Sequence, residues 1–281
     1  MTEDDQVWTS GWYIINQDIT IENQRVFANG DVNLILMDDC TLTVDSGIRV
    51  FEDYSLTVYA QSNEDKMGTL IVKTNNDHVA GIGGNDEENS GKITFHGGNI
   101  QISSGAGAGI GGGNEGSGTE TIIYGGKYTI NTTRGGAGIG GGSGYYETSG
   151  NILIYNGIFD IYASGGAGIG GGNGGTTGEI TINGGYFDCE GSNGIGAGAS
   201  EGVGTLIING GEIIAKGHGG NGDSGSGIGG CNNYPVGRNN DNGQIYINGG
   251  KIQATSSDGS GIGDLGATIT ISGGEVTAIG A

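Results

Sequence analysis

A phrase of the form Ala-Gly-Ile-Gly-Gly-Gly recurs along the chain and constrains the fold more than any other feature. Its isoleucines are separated by 26 to 34 residues, at Ile82, Ile110, Ile139, Ile169, Ile195, Ile228 and Ile262. A repeat of this length indicates the coils of a solenoid, in which each repeat packs on its two neighbours. The chain has 67 glycines but a single proline, so the composition fits neither collagen nor a proline-rich linker.

A second phrase recurs in step with the first: two alternating segments joined by Gly-Gly or Asn-Gly. Apolar residues two positions apart recur at equivalent places in every repeat, and such residues lie on one face of a strand. Before the glycines, one column holds Phe95, Ile123, Ile154, Ile182, Ile208, Ile247 and Ile271. After them, another holds Ile100, Tyr128, Phe159, Phe187, Ile213, Ile252 and Val276. These columns predict inward ladders of parallel strands, with one copy of each strand in each coil.

The two phrases together predict an all-β fold, a single-stranded parallel β-helix that we expect to be right-handed. About ten coils, each rising about 4.8 Å, would form a rod of about 50 Å. Residues 77–281 are predicted to form the glycine-rich repeats of one continuous solenoid. Residues 1–76 are predicted to form an N-terminal cap and irregular, glycine-poor coils, in which Trp8 and Trp12 cover the open end. Residues 275–281 read as one more strand with no cap, so we expect the natural chain to continue.

The chain is strongly acidic, with ten basic and 31 acidic residues and a formal net charge of −21. Because phosphates require Lys and Arg, this charge argues against nucleic-acid partners and anionic membranes. There is no apolar run of about twenty residues, so we expect no direct membrane insertion. The three cysteines, Cys40, Cys189 and Cys231, are far apart and odd in number, which indicates no disulfide framework and leaves their role open.

The segments that follow each Ile-Gly-Gly leave every coil at the same place, so we expect them to cluster along one edge of the rod. Binding residues of solenoids often lie in such insertions. Exposed aromatic rings pack well against sugar C–H faces, which makes Tyr145, Tyr146 and Tyr234, together with Arg238, the candidate ligand-binding residues. The alternative is that these are ordinary exposed loop residues.

The same edge carries an acidic cluster from two neighbouring repeats. Carboxylates and loop carbonyls are the oxygen ligands that Ca²⁺ prefers. The cluster therefore predicts a calcium site formed by Asp86, Glu87, Glu88 and Glu115, with a solvated acidic face as the alternative. No other cofactor is predicted.

Catalytic residues are not evident. Gly217-His218-Gly219 and Asp38-Asp39 resemble motifs of the polygalacturonase-type β-helix hydrolases, but the aspartates lie 180 residues upstream of the histidine. Two cooperating carboxylates near His218 are therefore not indicated. We predict no catalytic residue and favour a non-enzymatic role, without deciding the question.

Residues 77–281, with Ala-Gly-Ile-Gly-Gly-Gly and Ile-Thr-Ile-Asn-Gly-Gly, resemble the glycine-rich parallel β-helix repeats of adhesin-like surface proteins in Gram-positive gut bacteria. The preceding Trp-Thr-Ser-Gly-Trp-Tyr-Ile-Ile resembles the segment that introduces those repeats. The chain is also similar, more loosely, to secreted clostridial β-helix proteins that bind plant polysaccharides with calcium.

This resemblance implies a non-catalytic extracellular or cell-surface module of a bacterium, which serves adhesion or carbohydrate binding. Its partner would be a glycan or a host or surface protein, and the module would be a monomer within a longer chain. Two alternatives stay open: a polysaccharide lyase or hydrolase of the β-helix type, and a purely structural stalk.

Overall fold

The structure is a computed structural model that describes residues 6–62, 65–145, 147–220, 224–231, 243–263 and 266–281. Every regular element in these residues is a β-strand, and the strands pair in parallel. The predicted all-β parallel solenoid is therefore confirmed.

The first three coils are glycine-poor and contain long strands. Their strands are β1 (Val7–Ile15), β2 (Ile19–Ile21), β3 (Val26–Leu36), β4 (Thr41–Val44), β5 (Ile48–Val50), β6 (Ser55–Ala60) and β7 (Thr69–Lys73). Coil 1 consists of β1 and β2, coil 2 of β3 and β4, and coil 3 of the remaining three strands. In coils 1 and 2 a single long strand spans two faces that separate strands form in the later coils.

Coils 4 to 10 each contain three strands. The first is the two-residue strand of the glycine phrase: β8 (Ile82–Gly83), β11 (Ile110–Gly111), β14 (Ile139–Gly140), β17 (Ile169–Gly170), β20 (Ile195–Gly196), β23 (Ile228–Gly229) and β26 (Ile262–Gly263). The second precedes the glycine corner: β9 (Lys92–Phe95), β12 (Glu120–Ile123), β15 (Asn151–Ile154), β18 (Glu179–Ile182), β21 (Thr205–Ile208), β24 (Gln244–Ile247) and β27 (Thr268–Ile271). The third follows it: β10 (Asn99–Ser104), β13 (Lys127–Thr132), β16 (Ile158–Ala163), β19 (Tyr186–Gly191), β22 (Glu212–Gly217), β25 (Lys251–Ser256) and β28 (Glu275–Ile279).

Each strand pairs with its equivalent in the next coil, so the described residues form ten coils in register. The face that follows the corner is a ten-stranded sheet running from β2 to β28. On it Tyr128 pairs with Phe159, and Phe159 pairs with Phe187, as the aligned columns predicted. The coil count and the register of the columns are therefore both confirmed.

The core is a continuous column of apolar side chains along the axis. Three of its aromatic members, Tyr128, Phe159 and Phe187, are fully buried, and their rings stack at 4.7 and 4.5 Å between centroids. The Tyr128 hydroxyl donates a hydrogen bond to the Gly125 carbonyl at 2.9 Å. Burial raises the pKa of Tyr128 well above its usual value, because the interior disfavours a phenolate.

Gly111 shows why the repeated phrase requires glycine. Its φ is +133°, and a Cβ atom there would stand 1.9 Å from the carbonyl oxygen of Gly140 in the next coil. Only a residue without a side chain allows the two backbones to approach so closely.

The first coil differs from the prediction at one of its two tryptophans. Trp8 is fully buried and stacks on Tyr13 at 5.6 Å. Trp12 is 63% exposed and packs on the outside of the rod against Tyr59, 5.4 Å away. The pairing of β1 with β3 shifts register between Thr9 and Gly11. Because such a shift moves the following side chains to the opposite face, Trp12 points outward, and its predicted role as an end cover is wrong.

Candidate functional site

The loops that follow the Ile-Gly strands form one edge of the rod, which we call the loop edge (residues 85–90, 114–119, 143–145, 147–149 and 173–177). Each loop is hydrogen bonded to the loop of the next coil. The amide of Glu87 donates to the carbonyl of Asn114 at 2.7 Å, and that of Glu115 donates to Ser143 at 2.7 Å. The predicted clustering is confirmed for these four loops, whereas residues 232–242 of the fifth predicted segment, 231–242, lie outside the described residues.

The predicted ligand-binding residues lie only partly in the described structure. Tyr145 is on the loop edge, is 67% exposed, and has its ring beside Gly174 of the next coil, where an added Cβ would be 3.2 Å from Cδ1. Tyr146, Tyr234 and Arg238 lie outside the described residues. A binding role for this group therefore stays a prediction.

Two of the predicted calcium ligands already have protein partners. Asp86 accepts a hydrogen bond from the Asn114 amide at 3.1 Å and lies 3.3 Å from His78 Nδ1, while both carboxylate oxygens of Glu88 bind Arg49. Within the described part of the chain, no group of three or more His, Cys, Asp or Glu residues is placed to hold a metal ion. The four carboxylates therefore do not form a calcium cage in this conformation, and calcium binding stays a prediction.

A cleft opens at the N-terminal end of the loop edge, where the turn at residues 51–54 of coil 3 faces the loop of coil 4. We call it the Arg49 cleft. Its volume is about 530 Å³, within the usual range for ligand pockets. It is lined by Asn29, Arg49, Phe51, Glu52, Asp53, Tyr54, Glu87, Glu88 and Asn89.

Arg49 is one of these lining residues, and two interactions fix its side chain. Its Nε and Nη2 donate to the two carboxylate oxygens of Glu88 at 2.8 and 2.5 Å, a bidentate ion pair. Its guanidinium carbon lies 3.7 Å from the centre of the Phe51 ring, in a cation–π contact. The pair links coil 3 to coil 4 and holds both planar groups in one orientation.

Tyr54 supplies an exposed ring at the same place. The ring is 38% exposed and stands nearly perpendicular to Phe51, with an interplanar angle of 74°. The amide of Tyr54 donates to the carbonyl of Phe51 at 2.9 Å, which closes the turn. The amide group of Asn89 donates to Glu52 Oε1 at 3.0 Å and ties the turn to the loop of coil 4.

Glu87 adopts a backbone conformation that is unfavourable for a side chain. Its φ is +61°, and the equivalent Glu115 in the next coil has a φ of +54°. A left-handed conformation costs a residue other than glycine about 1 to 2 kcal/mol. Because it recurs at Glu115, outside the Arg49 cleft, this conformation belongs to the turn of the loop, and at Glu87 it places the residue in the lining of the cleft.

A second hollow, of about 520 Å³, lies on the other side of Glu88. Arg25 is its main structural feature, since Nη1 donates to the carbonyl of Ala80 at 2.8 Å and Nη2 to that of Gly84 at 3.0 Å. Burial and the nearby Arg49 lower the pKa of Arg25 to about 9, against the opposing effect of Glu88. Arg25 thus clamps the backbone of coil 4 beneath the cleft.

An aromatic column on the outside of the rod has the composition of a sugar platform but not the geometry. Tyr59, His96, Tyr124 and Tyr155 stack at 4.6 to 4.9 Å with interplanar angles of at most 5°. Each inner ring therefore has both faces covered by its neighbours and presents only its edge to solvent. The column could have been found from the sequence, because its last three members each precede a glycine corner.

The hydrolase-like residues are far apart. The Nδ1 atom of His218 lies 2.8 Å from the carbonyl of its neighbour Gly219, and Asp38 accepts a hydrogen bond from Ser62 at 2.9 Å. Asp38 follows β3 in coil 2 and His218 follows β22 in coil 8, which places them about 29 Å apart along the axis. The structure does not bring these residues into one site.

Comparison with known proteins agrees with the fold. A family model described as a beta helix repeat matches residues 245–267 and 269–281. No curated protein and no solved structure matches the chain. In the part of the chain that the structure describes, no helix is long and apolar enough to cross a membrane. Family match and geometry together identify a β-helix repeat protein.

Proposed function

We propose that this β-helix is a non-catalytic module that binds carbohydrate, and that the Arg49 cleft is its binding site. The observation that carries the proposal is the combination of the exposed Tyr54 ring with the fixed Arg49–Glu88 pair in one cleft. Sugar sites typically pair an aromatic face, which packs against C–H groups, with planar groups that hydrogen bond to hydroxyls. Phe51 and Arg49 rigidify the wall, so little ordering entropy is lost on binding.

The polar lining of the cleft suits a ring with several hydroxyl groups. Asn29 and Asn89 each provide both donors and acceptors, and Glu52 provides acceptors. A hydroxyl is itself both donor and acceptor, so it can satisfy either kind of group. We place this binding activity outside the bacterial cell or on its surface, where the module would adhere to a glycan or to a glycosylated host or surface protein.

A glycan array tests the proposal when it is run on matched tyrosine variants. Tyr54→Ala removes the free ring of the cleft, whereas Tyr124→Ala removes a ring of similar exposure, 44%, whose faces are covered by His96 and Tyr155. We expect the wild type to bind at least one glycan class. Tyr54→Ala should lose at least tenfold in affinity, about 1.4 kcal/mol, whereas Tyr124→Ala should keep the affinity of the wild type. Absence of glycan binding, or equal losses in the two variants, would refute the proposal.

A structural stalk is the second candidate, because the ten coils pair in continuous register. Such a rod holds its ends about 50 Å apart without any ligand. A stalk requires stiffness but not the Arg49 cleft. If Arg49→Ala and Tyr54→Ala leave every binding and adhesion assay unchanged while the rod stays folded, the stalk is the better description.

A further inference from the structure

We infer that the Arg49 cleft selects glycans that carry protonated amino groups over neutral and acidic glycans. This selectivity rests on the proposed carbohydrate binding and adds the class of ligand. The first observation is the charge of the lining, which contains one cation, Arg49, and the four carboxylates of Glu52, Asp53, Glu87 and Glu88. An acidic sugar entering the cleft would meet an excess of negative charge.

The single cation is not available to an anionic ligand. Arg49 gives its bidentate hydrogen bonds to Glu88, and one face of its guanidinium lies against Phe51. Since the charges of Arg49 and Glu88 offset each other, three carboxylates determine the potential of the cleft. A uronic acid would have to break the Arg49–Glu88 pair to gain a partner.

The remaining carboxylates have no cationic partner among the described residues. Glu52, Asp53 and Glu87 are exposed and make no ion pair there, and the Glu52 side chain accepts a neutral hydrogen bond from Asn89. Three carboxylates without an ion pair among the described residues, in the same lining as the Tyr54 ring, favour a ligand with a positive charge.

The protein itself shows how this cleft accommodates a cation. Arg49 lies on the Phe51 ring and against the Glu88 carboxylate, which is an aromatic face combined with a carboxylate. Tyr54 and the carboxylates of Glu52 and Asp53 offer the same combination to a ligand from outside. An amino sugar fits it, because its ring packs on the tyrosine while its ammonium group faces the carboxylates.

The test compares oligosaccharides of one length and different charge. Glucosamine and N-acetylglucosamine oligomers share one backbone and one linkage, and a galacturonic acid oligomer is the acidic member of the set. Binding is measured by calorimetry below the amine pKa, at low and high salt. At low salt we expect the glucosamine oligomer to bind at least tenfold more tightly than its acetylated form, and the galacturonic acid oligomer not to bind. At about 1 M salt the Debye length falls to about 3 Å, so the advantage should shrink to less than threefold.

Variants separate this selectivity from carbohydrate binding as such. The double variant Glu52→Gln and Asp53→Asn should lose the preference for the amine while keeping affinity for the acetylated oligomer. The matched control, Glu179→Gln and Asp160→Asn, changes two exposed carboxylates elsewhere on the rod and should keep the preference.

Equal affinity for the amine and acetylated oligomers would overturn the selectivity and leave the proposed function standing. If no oligomer binds while the glycan array shows binding, only the selectivity is overturned. If the array is also blank, or if only a lysine-rich control peptide binds, the proposed function is overturned as well. Tighter binding of the galacturonic acid oligomer would overturn the charge argument alone.

Discussion

Truncation of Phe159 to alanine tests whether burial or ring stacking stabilises the rod. Phe159 is fully buried in coil 6 and stacks on Tyr128 at 4.7 Å and on Phe187 at 4.5 Å. Removing a buried phenylalanine costs about 3 to 5 kcal/mol. The matched variant is Tyr124→Ala, since Tyr124 stacks on two neighbours at 4.7 and 4.9 Å but is 44% exposed.

The two variants lose the same number of stacking contacts at nearly the same distance. Stacking is worth about 0.5 to 1.5 kcal/mol for each pair, so we expect Tyr124→Ala, which loses two pairs, to cost about 1 to 3 kcal/mol. The excess cost of Phe159→Ala, about 2 kcal/mol at the midpoints of the two ranges, then measures burial and the cavity left behind. Phe159→Leu refills much of that space and should cost less than Phe159→Ala.

Urea unfolding followed by circular dichroism provides the measurement. Because coils interact only with their neighbours, loss of Phe159 weakens the interfaces on both sides of coil 6. We therefore expect a lower midpoint together with a shallower or biphasic transition, which a single two-state fit will not describe. A cost for Tyr124→Ala equal to or larger than that for Phe159→Ala would refute the reasoning and assign the stability to stacking.

Three further predictions follow from single positions. Gly111→Ala should lower the free energy of unfolding by at least about 3 kcal/mol in a thermal melt, because its Cβ would meet the Gly140 carbonyl. At Gly125 the nearest atom is 4.0 Å from an added Cβ, so Gly125→Ala should change that free energy by at most about 0.5 kcal/mol. The folded protein keeps the Tyr128 hydroxyl protonated at pH values above 10.0, the pKa of an unfolded tyrosine. The stability that this hydroxyl contributes is therefore lost as the pH rises above 10.0, and Tyr128→Phe should make the alkaline decline in stability less steep. Glu87→Gly should relieve the strain of a φ of +61°, raising stability by about 1 kcal/mol while weakening amine-selective binding in the calorimetric assay.

The columns of the core could be predicted from the sequence because every coil repeats the same requirement. Tyr128, Phe159 and Phe187 occupy one position in consecutive repeats, and the structure places them on one another. The alternation of inward and outward side chains along a strand predicts the wrong face for Trp12, because it assumes an unbroken register between β1 and β3. The shift between Thr9 and Gly11 depends on the pairing with β3, which no local pattern in β1 reveals.

The Arg49 cleft could not be assembled from the sequence for a similar reason. Phe51 and Tyr54 belong to a turn in the glycine-poor coils, outside the repeat, and Arg49 meets Glu88 across 39 residues. The sequence alone shows that Glu87 and Glu88 are acidic, and on that basis it predicted a calcium site. Their pairing and strain become visible only when coil 3 and coil 4 are stacked.

Repetition and ligand binding compete for the same surface of an aromatic ring in a β-helix. Equivalent residues recur at about 4.8 Å, close to the stacking distance of aromatic rings, so a ring repeated in successive coils loses both faces to its neighbours. Tyr124 illustrates this case, with interplanar angles of 5° and 2° to the rings on either side. Tyr54 escapes it because its nearest ring, Phe51, comes from the same turn and meets it edge-on at 74°. A free aromatic face therefore requires a break in the repeat, which is why the binding site is proposed in the irregular coils rather than among the regular ones.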